Sequence, residues 1–127
     1  MAALANLKKQ GKIRFVGVSN FSEEQIEEAE KYLQIDVQQP PFSMVNRTFV
    51  DLMKWGAAKG IDSMTYGSLG SGILSGAIRT LPDFAPNDLR LTFYDFFKEP
   101  KFSKIMELLK VMDQIAESHK AGSPGSG

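Results

Sequence analysis

Three short segments rich in β-branched and aromatic residues are spaced along the first half of the chain, and a stretch with helical periodicity follows each. The segments cover residues 13–18, 35–39 and 61–66, so the strand-plus-helix unit recurs roughly every 22 to 26 residues. Such a repeat predicts parallel strands joined by right-handed crossovers. We therefore expect an α/β fold built from parallel β/α repeats, with about three strands and flanking helices.

The helices can be placed by their start and stop signals. Residues 1–10 are rich in helix formers, and Ser22 opens the next helix as a Ser-x-x-Gln capping box. Thr48 is predicted as the N-cap of a third helix that runs to about residue 59. Residues 81–100 hold an aromatic cluster and several prolines, which predicts an irregular excursion with one short helix. Residues 101–119 have the apolar periodicity of the longest helix.

Length and composition narrow the classes of protein that fit. With 127 residues we expect one domain over 1–120 and a flexible Gly/Ser tail over 121–127. The 15 basic and 15 acidic residues cancel, which argues against nucleic acid or an anionic membrane as partners. There are no cysteines and no apolar run of about 20 residues. The sequence predicts a soluble, cytoplasmic protein.

Polar side chains follow each predicted strand at its carboxyl end: Ser19 and Asn20 after the first, Gln39 after the second and Tyr66 after the third. Parallel strands bring these ends to one edge, where β/α barrels build their active sites. There an amide or hydroxyl can bind a carboxamide, and a tyrosine can stack on a flat ring. A purely structural interpretation also fits, with Asn20 as a turn residue and Tyr66 in the core.

A glycine-rich loop follows Tyr66, with the spacing Gly67-x-x-Gly70-x-Gly72. It is neither the Gly-x-Gly-x-x-Gly fingerprint nor a P-loop, so the pattern alone is compatible with a tight turn or with a phosphate cradle. His119, the sole histidine, stands at the predicted end of the last helix, where a cation favours the helix dipole. No cluster of His, Asp and Glu has metal-ligand spacing, so we predict no metal site.

Three ordered segments resemble the aldo-keto reductase family. Residues 11–21 are similar to its Gly-Lys-Ile-Arg-x-Ile-Gly-Val-Ser-Asn-Phe stretch, 37–47 to Val-Val-Gln-x-x-Tyr-Ser-Leu-Leu-x-Arg, and 66–76 to Tyr-Ser-Pro-Leu-Gly-x-Gly-Leu-Leu-Thr-Gly. The resemblance implies a (β/α)₈ barrel that binds NADP(H) and reduces aldehydes or ketones. It also implies that Ser19, Asn20 and Gln39 hold the nicotinamide carboxamide and that Tyr66 stacks on the ring. The pyrophosphate would lie along the loop residues Gly67, Ser68, Leu69, Gly70 and Gly72.

The chain departs from the family pattern in ways that limit this interpretation. The family's catalytic Asp, Tyr, Lys and His have no counterpart here, and Phe42, Gly67 and Ser68 replace a Tyr, a Ser and a Pro of the motifs. We therefore expect a partial (half) TIM barrel without catalytic residues and without reductase activity of its own. The alternative is a non-catalytic self-assembling or nucleotide-binding half-barrel module. For either, the open sheet edges predict a homo-oligomer.

Overall fold

The computed structural model describes residues 1–121, apart from the side chain of Leu91. The chain divides into two compact units, Met1–Ser68 and Leu69–Gly127, which are described separately below. The barrel domain expected over 1–120 stays a prediction. All of the predicted tail except Ala121 lies outside the described residues.

The first unit alternates helices and strands in the predicted order. Its elements are α1 (Ala2–Lys9), β1 (Gly17–Ser19), α2 (Glu23–Glu30), β2 (Val37–Gln39), α3 (Val50–Ala58) and β3 (Asp62–Ser63). The strands form one parallel sheet in the order β1-β2-β3, with Ser19 opposite Gln39 and Gln38 opposite Ser63. This parallel, unclosed α/β sheet with flanking helices confirms the expected fold class of a partial TIM barrel.

Each strand is shorter than its sequence pattern predicted. At the start of β1 and β2, the Asp36 carboxylate accepts a hydrogen bond from the Val16 amide (2.8 Å). A side chain thus takes the amide that a longer β1–β2 ladder would have used. Residues 13–15 therefore lie outside the sheet despite their strand-like composition. At the other end of β3, Tyr66 is joined to Pro41 only by an isolated parallel bridge.

The core of the first unit lies on one face of the sheet. It is formed by the buried side chains Val16, Val18, Ile26, Ala29, Ile35 and Ile61. No element of the first unit covers the other face of the sheet. There Phe15 is 69% exposed and Met64 is 59% exposed. A parallel sheet usually has both faces covered, so this uncovered face, which we call the open face, is the unusual feature of the unit.

The start of α2 follows the prediction, and the start of α3 does not. Ser22 and Gln25 form the complete capping box, in which each side chain accepts a hydrogen bond from the other residue's amide. For α3 the prediction of Thr48 as N-cap was wrong. The residue before the helix is Phe49, which makes no side-chain cap. The Thr48 amide donates instead to Asn46 Oδ1 (3.3 Å), so a local turn precedes the helix.

The second unit contains the short helix α4 (Leu89–Phe93) and the long helix α5 (Lys101–Ser118), together with 3₁₀ turns at Ile73–Ser75 and Asp95–Phe97. The predicted irregular excursion with one short helix is thus confirmed. Asp88 caps α4, and the hydrogen bond from the Arg90 side chain lowers the pKa of Asp88 to about 2. On α5 the side chains of Phe102, Ile105 and Leu109 are buried, whereas Ile115 is 56% exposed.

Candidate functional site

The ends of β1 and β2 bring three of the predicted site residues together. Ser19 and Gln39 are directly paired, and the Ser19 hydroxyl donates to the Gln39 carbonyl oxygen (3.0 Å). The Asn20 backbone N–H donates to the same oxygen (3.4 Å). Asn20 has a φ of 59°, a left-handed conformation that asparagine tolerates better than most residues. The chain therefore turns sharply after β1 and keeps the Asn20 side chain at the sheet edge.

Tyr66 follows β3, at the opposite edge of the sheet from β1, and its side chain reaches this group. Its amide donates to the Pro40 carbonyl (3.2 Å), and its carbonyl accepts from the Phe42 amide (3.0 Å), so the backbone is fixed beside the end of β2. The Tyr66 hydroxyl then donates to Asn20 Oδ1 (2.8 Å). The ring remains 41% exposed. Tyr66 was predicted to be either a core residue or a stacking surface, and the structure leaves it exposed at the edge.

These contacts decide which polar groups are left for a ligand. Asn20 Oδ1 is occupied by Tyr66, while Asn20 Nδ2 makes no hydrogen bond within the part of the chain that the structure describes. The Ser19 hydroxyl donates its hydrogen bond to the Gln39 carbonyl, so its oxygen lone pairs remain able to accept a hydrogen bond. The half-buried Gln39 amide has no side-chain partner among residues 1–121. A donor, an acceptor and a free amide beside an exposed ring match a flat ring that carries a primary carboxamide.

The glycine loop is divided between the two units. Gly67 and Ser68 end the first unit, and Gly67 has a φ of 72°. Leu69, Gly70 and Gly72 belong to the second unit, in which residues 70–72 all have positive φ (55°, 54° and 93°). The amides of residues 72–75 donate to carbonyls within this loop. In the first unit, the backbone amides of Gly67 and Ser68 make no backbone hydrogen bond in the described range, and both residues are exposed.

An apolar cleft of about 360 Å³ lies on the open face next to the polar edge. Phe15, Val37 and Met64 line it together with Ser19 and Gln39. The cleft therefore joins an apolar floor to the polar groups described above. Such a combination of an apolar wall and a few polar groups is what ligand sites commonly use.

Gln38 is a residue whose importance the sequence did not reveal. It is 2% exposed, and its Nε2 donates to the Leu52 carbonyl (3.3 Å) and to Ser63 Oγ (3.2 Å). Its Oε1 is buried without a partner. Gly56 of α3 lies against this side chain, and a Cβ added at Gly56 would lie 2.1 Å from Gln38 Nε2. Gln38 thus fits between the sheet and α3 because position 56 has no side chain.

Residues 1–121 contain neither a cluster of metal ligands nor a helix suited to a membrane. No group of three or more His, Asp or Glu side chains in residues 1–121 could hold a metal ion. None of the helices in that range has the length and apolar character needed to cross a membrane. His119 ends α5 as its exposed C-cap, the position predicted for it.

The fold and the edge define a parallel β/α protein with polar side chains at the carboxyl ends of its strands. Comparison with known proteins identifies the family. The aldo/keto reductase family model matches residues 1–126. The chain belongs to the aldo/keto reductase family.

Individual relatives give the same result. The chain is 30% identical to aldo-keto reductase str7 of Strobilurus tenacellus, covering 98% of this chain and 38% of that protein. It is 32% identical to aldo-keto reductase yakc [NADP(+)] of Schizosaccharomyces pombe, covering 98% and 37%. A solved glycerol dehydrogenase from Gluconobacter oxydans superposes with a TM-score of 0.83 at 29% identity, over 96% of this chain and 37% of that one. The chain thus spans little more than a third of these proteins' length.

Proposed function

We propose that this chain is the nicotinamide-binding part of an NADP(H)-dependent aldo-keto reductase and that it does not reduce carbonyl compounds by itself. The observation that supports the proposal is the meeting of Ser19, Asn20, Gln39 and Tyr66 at one sheet edge. Four polar or aromatic groups from three separate strand ends converge there. Parallel strands bring their carboxyl ends to one edge, and the hydrogen bond from Tyr66 to Asn20 joins the side chains there.

The polarity of the groups favours a carboxamide. Asn20 Nδ2 is free to donate to its carbonyl oxygen, and Ser19 Oγ is free to accept from its amino group. The half-buried Gln39 amide offers one more donor and acceptor, and the exposed Tyr66 ring offers a flat surface for stacking. When bound, the nicotinamide would supply a hydride to an aldehyde or ketone. The residues of this chain would hold and orient it.

The loop supplies a second part of the proposal. The backbone amides of Gly67 and Ser68, at the end of the first unit, are not used by backbone hydrogen bonds in the described residues. They would bind pyrophosphate oxygens without any basic side chain. Positive φ at Gly67 permits the close approach that such binding requires.

Isothermal titration of the chain with NADPH and with NADH tests this function, since the described groups contact only the part that the two share. We expect binding of both, and Gln39→Ala should raise Kd by about tenfold, as for the loss of one or two hydrogen bonds. Gln34→Ala removes the same side chain from an exposed position and serves as the matched control, with unchanged Kd. Absence of binding by the unmodified chain would contradict the proposal.

The same samples test for turnover. No residue of the family's catalytic Asp-Tyr-Lys-His set has a counterpart in this sequence, so we expect no NADPH oxidation above background with a panel of aldehydes. Turnover that disappears in Tyr66→Phe would show that this part of the proposal is wrong.

The open face favours a second proposal, that the chain forms a homo-oligomer in which two copies cover each other's open faces. Phe15 and Met64 expose large apolar side chains there, and β1 and β3 are unpaired edges of the sheet as described. A twofold axis would place the same patch against itself, as isologous interfaces require. This assembly would bury the face that parallel sheets normally cover.

Sedimentation velocity should therefore show a dimer or larger species at micromolar concentration. Met64→Lys, which places a charge on the open face, should shift the population to monomer. Met44→Lys changes a similarly exposed methionine (57%) in the loop after β2 and should leave the distribution unchanged. A monomer that shows no concentration dependence would rule out this assembly.

A further inference from the structure

We infer that the Tyr66 hydroxyl is a positioning group for Asn20. It fixes the orientation of the Asn20 side-chain amide, so that the site presents a hydrogen-bond donor to the ligand. This inference rests on the proposed function for the identity of the ligand, and it concerns a contact that stacking by the Tyr66 ring does not require. The juxtaposition that supports it is the 2.8 Å hydrogen bond between the end of β3 and the end of β1.

The contact links two strands that are not neighbours. Asn20 directly follows β1 and Tyr66 lies three residues after β3; in the order β1-β2-β3 these strands are separated by β2, a distance of about 10 Å for two strand spacings. The Tyr66 side chain reaches across the carboxyl end of β2 to close this gap. Its backbone is held there by hydrogen bonds to Pro40 and Phe42 (3.2 and 3.0 Å). The hydroxyl therefore arrives at a defined point.

The direction of the hydrogen bond decides what Asn20 offers. A carboxamide oxygen only accepts, so Tyr66 must donate, and Asn20 Oδ1 is turned toward it. The opposite side of the same amide, Nδ2, is then turned away from Tyr66 with both of its protons available. An exposed asparagine without this partner could rotate by 180° and present its oxygen instead. Loss of the hydroxyl would leave both orientations accessible.

The backbone at Asn20 strengthens this arrangement. The Asn20 backbone has a φ of 59°, and its N–H donates to the Gln39 carbonyl. The torsions that remain to be fixed are those of the side chain. The Tyr66 hydroxyl fixes these torsions as well. Specificity for a ligand carbonyl at this point then depends on Tyr66 through Asn20, without direct contact between the hydroxyl and the ligand.

A measurement without ligand tests the positioning itself. The side-chain amide signal of Asn20, identified by its loss in Asn20→Ala, should show the high ¹⁵N heteronuclear Overhauser effect of an ordered group. Tyr66→Phe should lower it toward the value of a freely rotating amide. Tyr32→Phe removes a hydroxyl from another exposed tyrosine (56%) and should not change it. An Asn20 signal that is equally ordered in Tyr66→Phe overturns the inference.

Binding measurements then test the consequence for the ligand. Tyr66→Phe keeps the ring and should raise Kd by about five- to tenfold for NADP⁺ and for its 3-acetylpyridine analogue, because both carry the carbonyl. It should leave Kd unchanged for 2′-phospho-ADP-ribose, which lacks the nicotinamide. In an Asn20→Ala background the Tyr66→Phe change should have no further effect.

The outcomes separate the inference from the proposed function. Equal losses for all three ligands, or additive losses in the double variant, would mean that the hydroxyl only supports the loop, and the inference would fall. If the unmodified chain binds none of the three ligands, the nicotinamide function is wrong, and the Asn20 amide signal still decides whether Tyr66 positions Asn20.

Discussion

Replacing Gly56 with alanine is expected to lower the free energy of unfolding by about 1–3 kcal/mol, the usual cost of forcing an extra methyl group into a packed interior. The new Cβ would lie 2.1 Å from Gln38 Nε2 and 3.0 Å from Gln38 Cδ. Gln38 cannot move away freely, because it is 2% exposed and bound to Leu52 and Ser63. Urea denaturation followed by circular dichroism measures the change.

The sign of this effect is informative. Position 56 lies inside α3, where alanine is intrinsically favoured over glycine by about 0.8–1.0 kcal/mol. Helix propensity alone therefore predicts stabilisation, and the contact with Gln38 predicts the reverse. A stabilised Gly56→Ala variant would show that Gln38 finds another place.

Gln38→Ala in the same background is the matched test of the contact. Truncating Gln38 removes the atoms that the new methyl group meets, and it also removes the unpartnered Oε1. The double variant should therefore be less destabilised than the sum of the two single variants, with a coupling of roughly 0.5–3 kcal/mol. Strict additivity would mean that positions 38 and 56 do not act on each other.

This pair illustrates what the sequence could not reveal. Because side chains alternate along a strand, Gln38 lies on the opposite face from Val37 and Gln39, which line the cleft on the open face. The alternation does not show that the polar Gln38 lies on the buried side. That depends on Gly56, which stands 18 residues further along and in the sequence is simply one position within the predicted third helix. The large side chain of Gln38 in β2 is matched by the missing side chain of Gly56 in α3. Such a match between two elements leaves no periodic pattern in the sequence.

The site was predictable in position but not in detail. Strands that are parallel must end at one edge, so the closeness of Ser19 and Gln39 followed from the β/α repeat alone. The bond from Tyr66 to Asn20 spans 46 residues and depends on side-chain rotamers and on the left-handed backbone at Asn20. Neither is encoded in a local pattern. The orientation of the Asn20 amide, which sets its chemistry, could only come from the structure.

Strand lengths were overestimated for a related reason. Residues 13–15 have the composition of a strand, but a strand exists only where a partner accepts its hydrogen bonds. The Asp36 carboxylate takes the Val16 amide and ends the ladder. The sequence shows Asp36 only as a polar residue next to β2, with nothing to indicate that its carboxylate ends the hydrogen-bond ladder between β1 and β2.

Asp36 is also the site of the second large effect, because its carboxylate connects three parts of the first unit. It accepts from Lys8 Nζ of α1 (2.7 Å) and from the Val16 amide before β1 (2.8 Å), and it stands directly before β2. Asp36→Asn removes the charge with little change in shape. We expect it to lower the free energy of unfolding at pH 7 by about 1.5–3 kcal/mol, as for loss of a charge-assisted hydrogen bond. Asp51→Asn, at a 94% exposed carboxylate of α3, should change it by less than about 0.5 kcal/mol.

The pH dependence of this difference identifies its origin. The hydrogen bond from Lys8, and then that from the Val16 amide, lower the pKa of Asp36 below the value of about 3.9 that an unfolded chain would have. A lowered pKa means that the unfolded state takes up the proton first. The stabilisation is therefore complete above about pH 5 and is lost as the pH falls through the folded-state pKa. The difference in unfolding free energy between wild type and Asp36→Asn should therefore shrink as the pH is lowered below about 5.

Equal differences at pH 7 and pH 3 would mean that shape, and not charge, explains the contribution of Asp36. Its position also allows stability and binding to be separated. Asp36 lies at the amino end of β2, and the proposed ligand groups lie at the carboxyl end, three residues away at Gln39. Asp36→Asn should therefore destabilise the fold while leaving Kd for NADPH unchanged under conditions in which the variant is folded. Gln39→Ala should raise Kd for NADPH and leave the stability of the fold unchanged, since the half-buried Gln39 side chain makes no hydrogen bond within the described residues.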